Sequence, residues 1–215
     1  FDLEQGRFVD DGFRMPASRS DATWIDEDTL LVQHALDGAP TLPTGWPMEV
    51  KLWKRGTALA AARTIYRAEP KDALLHLGSG GEGADRVGMI FRAIDYSNFE
   101  HIIVRPDGAI ERTTIPARLK MRMDDPVGGR IVVQLAEAAT VNGHMLPAET
   151  ILAYDTRRAV APDRRLGIVY TPEAGEYVTG ALQGGIASGA HTVRMFLDRR
   201  RRQRARGLGH EHVAA

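Results

Sequence analysis

Apolar and polar residues alternate along this chain in short runs, not in helical stripes. The clearest runs in the first half are Leu30–Val32, Val50–Trp53, Arg63–Tyr66, Val87–Phe91, His101–Val104 and Ile110–Ile115. Ile131–Leu135, Thr150–Tyr154, Gly167–Tyr170 and Thr192–Leu197 follow in the second half. Each is about 4–8 residues long, rich in β-branched and aromatic types and bounded by turn residues, which predicts strands. The turns between them have identifiable chemistry. Pro106-Asp107-Gly108 presets φ at proline and allows positive φ at glycine, so it predicts a hairpin. Asn142-Gly143 is the preferred pair for a type I′ turn between Val141 and Met145. Asp28-Thr29 closes another compact reversal after Trp24-Ile25-Asp26.

Helical signals are few. Ala58–Arg63 has the composition for a helical turn, but Thr64, Ile65 and Tyr66 favour a strand. Ala136–Ala139 reads as a loop between strands, and only the arginine-rich stretch Met195–Arg206 has the propensity for a sustained helix. Many short strands at close spacing predict an all-β fold: sandwich, barrel or propeller. Strong candidates for the second strand of a unit begin at Leu30, Val87, Ile131 and Val193. Intervals of roughly 45–60 residues suit four-stranded propeller blades with some extended loops, although a sandwich fits the pattern too.

Composition narrows the function classes. The chain has 215 residues, 43% hydrophobic and 26% charged, the balance of a folded soluble domain. No run of about 18 apolar residues marks a membrane helix. There is no cysteine, which excludes disulfides, zinc–thiolate sites, iron–sulfur clusters and a cysteine nucleophile. Such a chain suits the cytoplasm or the periplasm equally. The formal charge is zero, but residues 194–215 hold seven arginines and two acids, leaving 21 basic against 26 acidic residues in the body. An acidic body argues against a nucleic-acid surface. The chain starts at Phe1 without a charged-then-apolar leader pattern, which suggests a processed chain or a fragment.

Several stretches resemble the propeller domain of the prolyl oligopeptidase family of serine peptidases. Phe1-Asp2-Leu3, Phe8-Val9, Asp11-Gly12-Phe13 and Met15-Pro16 match the family's opening, and Trp24, Asp26 and Asp28–Val32 match the next element. The most specific block is Gly45-Trp46-Pro47 followed by Val50–Thr57 and Leu59. The likeness is looser beyond, through Asp107-Gly108, Ile115-Pro116, Ile131–Leu135, Val141–Gly143, Ile151–Ala153, Asp155, Tyr170–Pro172 and Gly185–Leu197. The resemblance implies four-stranded antiparallel blades, about three to four of a seven-bladed ring, over residues 1–197. Residues 198–215 then read as a basic, disordered tail.

The chain also departs from the family. Leu197-Asp198 runs into Arg199–Arg202 where the family continues into further blades. The α/β-hydrolase domain is missing, and none of Ser18, Ser20, Ser79, Ser97 and Ser188 sits in a G-x-S-x-G elbow. No catalytic, cofactor or metal residue is therefore assigned. Ser79 lies in Gly78–Gly83, which lacks the Lys-Ser/Thr of a phosphate loop and reads as a loop between blade strands. His210 and His212 lack a third fixed metal ligand. His34, His76, His101, His144 and His191 are scattered with no carboxylate at a suggestive spacing. Trp24, Trp46 and Trp53 read as blade-packing residues.

In the resembled family the propeller limits access of peptides to a serine hydrolase domain. The implied role is part of that filter: no bond breaking by this chain alone, with short peptides and the hydrolase domain as partners in the parent enzyme. Open propeller ends imply self-association. The alternative is a stand-alone, non-catalytic interaction module derived from a propeller.

Overall fold

The computed structural model describes residues 3–36, 38–122, 126 and 128–173, and the backbone of four further strands between 176 and 201. It is built from antiparallel four-stranded sheets. The first holds β1 (Ser20–Asp26), β2 (Thr29–His34), β3 (Glu49–Lys54) and β4 (Arg63–Arg67) in that order. The second holds β5 (Leu74–Gly80), β6 (Val87–Ala93), β7 (Phe99–Val104) and β8 (Ile110–Arg112), again in order. The third runs β9 (Leu119–Arg122), β10 (Arg130–Leu135), β13 (Ile151–Asp155) and β14 (Leu166–Tyr170). A separate hairpin, β11 (Ala139–Val141) and β12 (His144–Leu146), is inserted between its second and third strands. These are three meandering blades, so the all-β expectation holds and the propeller reading is favoured over the sandwich.

Three of the four expected second strands fall where the spacing put them, at β2, β6 and β10. Val193 instead lies in β17 (Ala190–Met195), which among the described residues pairs with β16 (Leu182–Ala187) alone. The arginine-rich stretch is not helical where it is described. Arg199–Arg201 forms β18, antiparallel to β15 (Glu176–Val178). Helix propensity is a weak prior, and pairing overrides it here. Residues 202–215 lie outside the described residues.

Strand period explains how the blades stack. Successive side chains on a strand point to opposite faces, so an interior strand feeds two cores. In β6, Val87, Met89 and Phe91 join the core toward the third blade, and Ile90 joins the core toward the first. In β7, Ile103 faces the third blade while Ile102 and Val104 face the first. Every residue of β6 is buried, and its first five, Val87–Phe91, read as a continuous apolar run. Gly88 lies on the face toward the first blade. A Cβ there would stand 3.2 Å from Ile25 Cδ1 and 3.3 Å from Leu31 Cδ2.

The turns form as their chemistry predicts. Asn142 and Gly143 both have positive φ, 50° and 80°, the type I′ signature. Gly108 has φ of 84° and donates its amide to Arg105 O at 2.7 Å. The first reversal is shifted by one residue: Glu27-Asp28 is the loop, and Thr29 begins β2 opposite Asp26. A single 3₁₀ turn, Leu59–Ala61, precedes β4, combining both tendencies read in Ala58–Tyr66.

The outer face of the first blade is not bare. Leu30, Val32 and Trp53 form a core there against Phe13 and Met15 of the leading segment. Phe13 stands edge-on to Trp53 at 4.8 Å and to Trp24 at 5.4 Å, and the Arg55 guanidinium lies over Phe13 at 5.5 Å. The Val50–Thr57 block proves architectural. Gly56 turns with φ of 72°, Trp53 Nε1 donates to Thr57 O at 2.8 Å, and Arg55 Nε donates to Asp28 Oδ1 at 2.8 Å. That turn ties β3 to the β1–β2 loop. Trp46 packs partly buried on the core between the first two blades, and Trp24 remains 44% exposed.

Candidate functional site

The first strands of the sheets converge. β1 packs directly against β5, and Gly80 at the end of β5 abuts Pro126 beyond β9 so tightly that a Cβ would lie 2.2 Å from the Pro126 carbonyl oxygen. This inner edge is where a propeller presents side chains to its central channel. Its composition differs from the rest of the blades. Asp21 and Thr23 of β1 meet His76 and Ser79 of β5, and Gln33 of β2 reaches the same boundary.

Three residues of the first blade, Asp21, Thr23 and Gln33, reach across to the second there. Asp21 Oδ2 accepts the Leu77 amide at 2.8 Å and lies 2.9 Å from His76 Nδ1. Thr23 Oγ1 donates to Ser79 Oγ at 2.7 Å. Gln33 Nε2 donates to the Leu75 carbonyl at 2.9 Å. Burial opposes ionisation of Asp21, but the hydrogen bonds from His76 and the Leu77 amide, with the nearby imidazole charge, outweigh it and hold its carboxyl below the usual range. Asp21 is therefore an ionised clamp across the blade boundary.

No carboxylate spacing in the sequence suggests a catalytic partner for a histidine; the structure pairs His76 with Asp21. Asp21 comes from a different blade, so no local spacing signals it. Gly78-Ser79-Gly80, expected in a loop, belongs to a strand. These residues are the last three of β5, paired with Met89, Gly88 and Val87 of β6. The loop is confined to 81–86 and contains a 3₁₀ turn at Gly83–Asp85. Glycine here allows the close approach to Pro126.

The other histidines have separate surroundings. His101 is buried edge-on against Phe91 at 5.0 Å, and His34 Nδ1 accepts the Leu36 amide at 3.3 Å. His144 sits on the exposed β11–β12 hairpin. Ser188, His210 and His212 lie outside the described residues. Nucleophilic catalysis needs the nucleophile on its base and the base on an orienting group. Asp21 and His76 supply the second contact. Ser79, three residues along β5 from His76, projects from the opposite face of that strand. The edge can donate and accept hydrogen bonds and carries the Asp21 charge.

No family model matches the chain. Over 190 residues, 85% of the chain, its sequence is 25% identical to an uncharacterized peptidase of Sinorhizobium fredii. The structure of a post-proline cleaving enzyme from Rickettsia typhi matches 91% of the chain with a TM-score of 0.68 at 16% identity. The chain spans 26% of the length of that peptidase and 33% of that solved chain. Its fold is thus that of part of a prolyl oligopeptidase-type propeller, and its sequence is similar to part of a peptidase, as its opening motifs implied.

Proposed function

We propose that these blades form part of a substrate-limiting propeller, which shields a serine hydrolase domain and admits short peptides. The carrying observation is the polar, tightly clasped inner edge, where Asp21, Thr23, His76 and Ser79 line the convergence of two blades in a fold shared with a post-proline cleaving enzyme. A passage for peptides needs such an edge: rigid enough to exclude by size, and polar enough to hydrate an amide backbone. Bond cleavage belongs to the hydrolase domain in this reading. The purified chain should give no hydrolysis of a chromogenic prolyl peptide. Turnover abolished by a serine-directed fluorophosphonate would overturn that. Sequencing of the flanking coding region should continue in frame into further blades and a G-x-S-x-G elbow.

One observation favours the second reading, a self-standing interaction module. Phe13 and Met15 pack on Leu30, Val32 and Trp53 at the outer face of the first blade, which shields part of it without a neighbouring blade. A flanking region that stops, with a stable and catalytically silent chain, would select this reading over the first.

A further inference from the structure

The β11–β12 hairpin turns on Asn142-Gly143, and that pair carries a reactivity the fold does not use. An asparagine side-chain amide is open to attack by the backbone nitrogen of the next residue, which makes asparagine thermolabile. Glycine as that next residue leaves the nitrogen unshielded, because it has no side chain. The chain has two asparagines, Asn98 and Asn142, and their surroundings differ. Asn98 precedes Phe99, whose amide donates to Ala117 O at 2.9 Å, and its own Nδ2 donates to Asp95 Oδ2 at 2.6 Å. Asn142 and Gly143 are both exposed. A Cβ on Gly143 would meet nothing beyond its chain neighbours within 4 Å. The Gly143 amide makes no hydrogen bond among the described residues.

Attack needs the turn to leave its resting geometry, and this hairpin is built to open locally. Each of its strands has three residues, and together they form a two-stranded sheet of their own. Such a hairpin is marginal without tertiary support. Support comes from Val141 and Leu146, which are buried in the core between the second and third blades. It comes also from Asn142 itself, whose Nδ2 donates to Leu166 O, at the start of β14, at 2.9 Å. The reactive amide is therefore one of the groups that tie the hairpin down.

We propose that Asn142 is a deamidation site, and that its conversion unties the hairpin from the third blade. The Gly143 nitrogen bonds to Asn142 Cγ, the Cγ–Nδ2 bond breaks, and the amide proton leaves with Nδ2 as ammonia. Water then opens the cyclic imide at either carbonyl, giving aspartate or isoaspartate. Either product replaces the donor to Leu166 O with a carboxylate, which accepts only and repels that carbonyl. Isoaspartate also routes the main chain through the former side chain, so the two-residue turn is lost. This assignment does not depend on the peptidase reading. The test is peptide mapping by mass spectrometry of the full chain aged at mildly alkaline pH. The peptide holding Asn142 should convert to two chromatographically separate products of equal mass, aspartate and isoaspartate, while Asn98 stays intact. Conversion should quicken as pH rises, because the attacking nitrogen must lose its proton. No conversion at Asn142, equally fast conversion at Asn98, or aspartate as the single product would each overturn the site. Hydrogen exchange of Asn142→Asp, checked for wild-type circular dichroism, reads the consequence. Its β11–β12 amides should exchange about fivefold faster, the effect of one lost hydrogen bond. Asn142→Gly, which suits the turn but lacks the donor, should show a similar rise. Wild-type exchange rates in both variants would overturn the untying.

Discussion

Replacing Arg92 with methionine should destabilise the chain by about 4 kcal/mol, far more than any surface charge. Arg92 is the densest ionic node in the second blade. Its Nε and Nη2 meet Asp72 Oδ2 and Oδ1 at 2.8 and 2.9 Å, and Nη1 meets Glu100 Oε2 at 3.1 Å. Glu69 Oε1 is also 2.9 Å from Nη2. The Arg92 side chain is 6% exposed and that of Asp72 is fully buried. Hydrogen bonding by Asp72 outweighs the desolvation of Arg92 and raises its pKa, so it stays charged at any working pH. Methionine approximates the volume of the stem but removes the charge. Among the described residues Asp72 then keeps the Glu69 amide, at 2.8 Å, as its side-chain partner. Removing one member of a buried ion pair costs about 3–5 kcal/mol because the remaining charge is uncompensated. For a domain of this size that should lower Tm by roughly 8–16 °C. The control is Arg118→Ala, whose pairing with Glu137 at 3.5 Å is exposed on both sides and should cost under about 1 kcal/mol. Urea unfolding followed by far-UV circular dichroism reads both. A loss for Arg92→Met no larger than that of Arg118→Ala would refute the argument that buried pairing holds this blade.

Further expectations follow from the blade boundaries. Gly80→Ala should destabilise strongly, because its Cβ would stand 2.2 Å from the Pro126 carbonyl oxygen and backbone must move; a melting temperature equal to wild type would contradict the packing described. Asp21 should supply an acid-sensitive share of stability. Its carboxyl is held below the ordinary 3.8, so the stabilisation is fully present above about pH 4 and is lost as pH falls through the lower folded value. Urea midpoints across acidic pH should therefore converge for wild type and Asp21→Asn, and a constant gap would exclude the clamp. Self-association is expected because the three described blades do not close a ring, and β14 leaves Ile168 and Val169 exposed. Light scattering should show oligomers that diminish in Ile168→Lys with Val169→Lys, and a compact wild-type monomer would contradict this.

Interior strands of the blades were legible because both their faces are apolar. β2 and β6 contribute side chains to cores on either side, and Ile131–Leu135 of β10 is buried throughout, so their apolar density survives any choice of face. The inner strands were harder to read for the opposite reason. β5 ends in Gly78-Ser79-Gly80, and β1 carries Asp21 and Thr23, because these strands meet at a polar edge. Polar and glycine-rich segments mimic loops when read one residue at a time. The candidate site lies on these strands, so the region of most functional interest was the one the pattern hid.

By itself the sequence determined the all-β class, the turn positions and the blade spacing. These depend on side-chain period and on local φ preferences, which each short segment carries within itself. It also carried the resemblance that the comparisons support. Tertiary structure alone decided which charges meet. Asp21 finds His76, Asp72 finds Arg92 and Glu111 finds Arg165 only once separate strands or blades are stacked. A hydrogen bond acts over about 3 Å, and no linear spacing encodes that distance between blades.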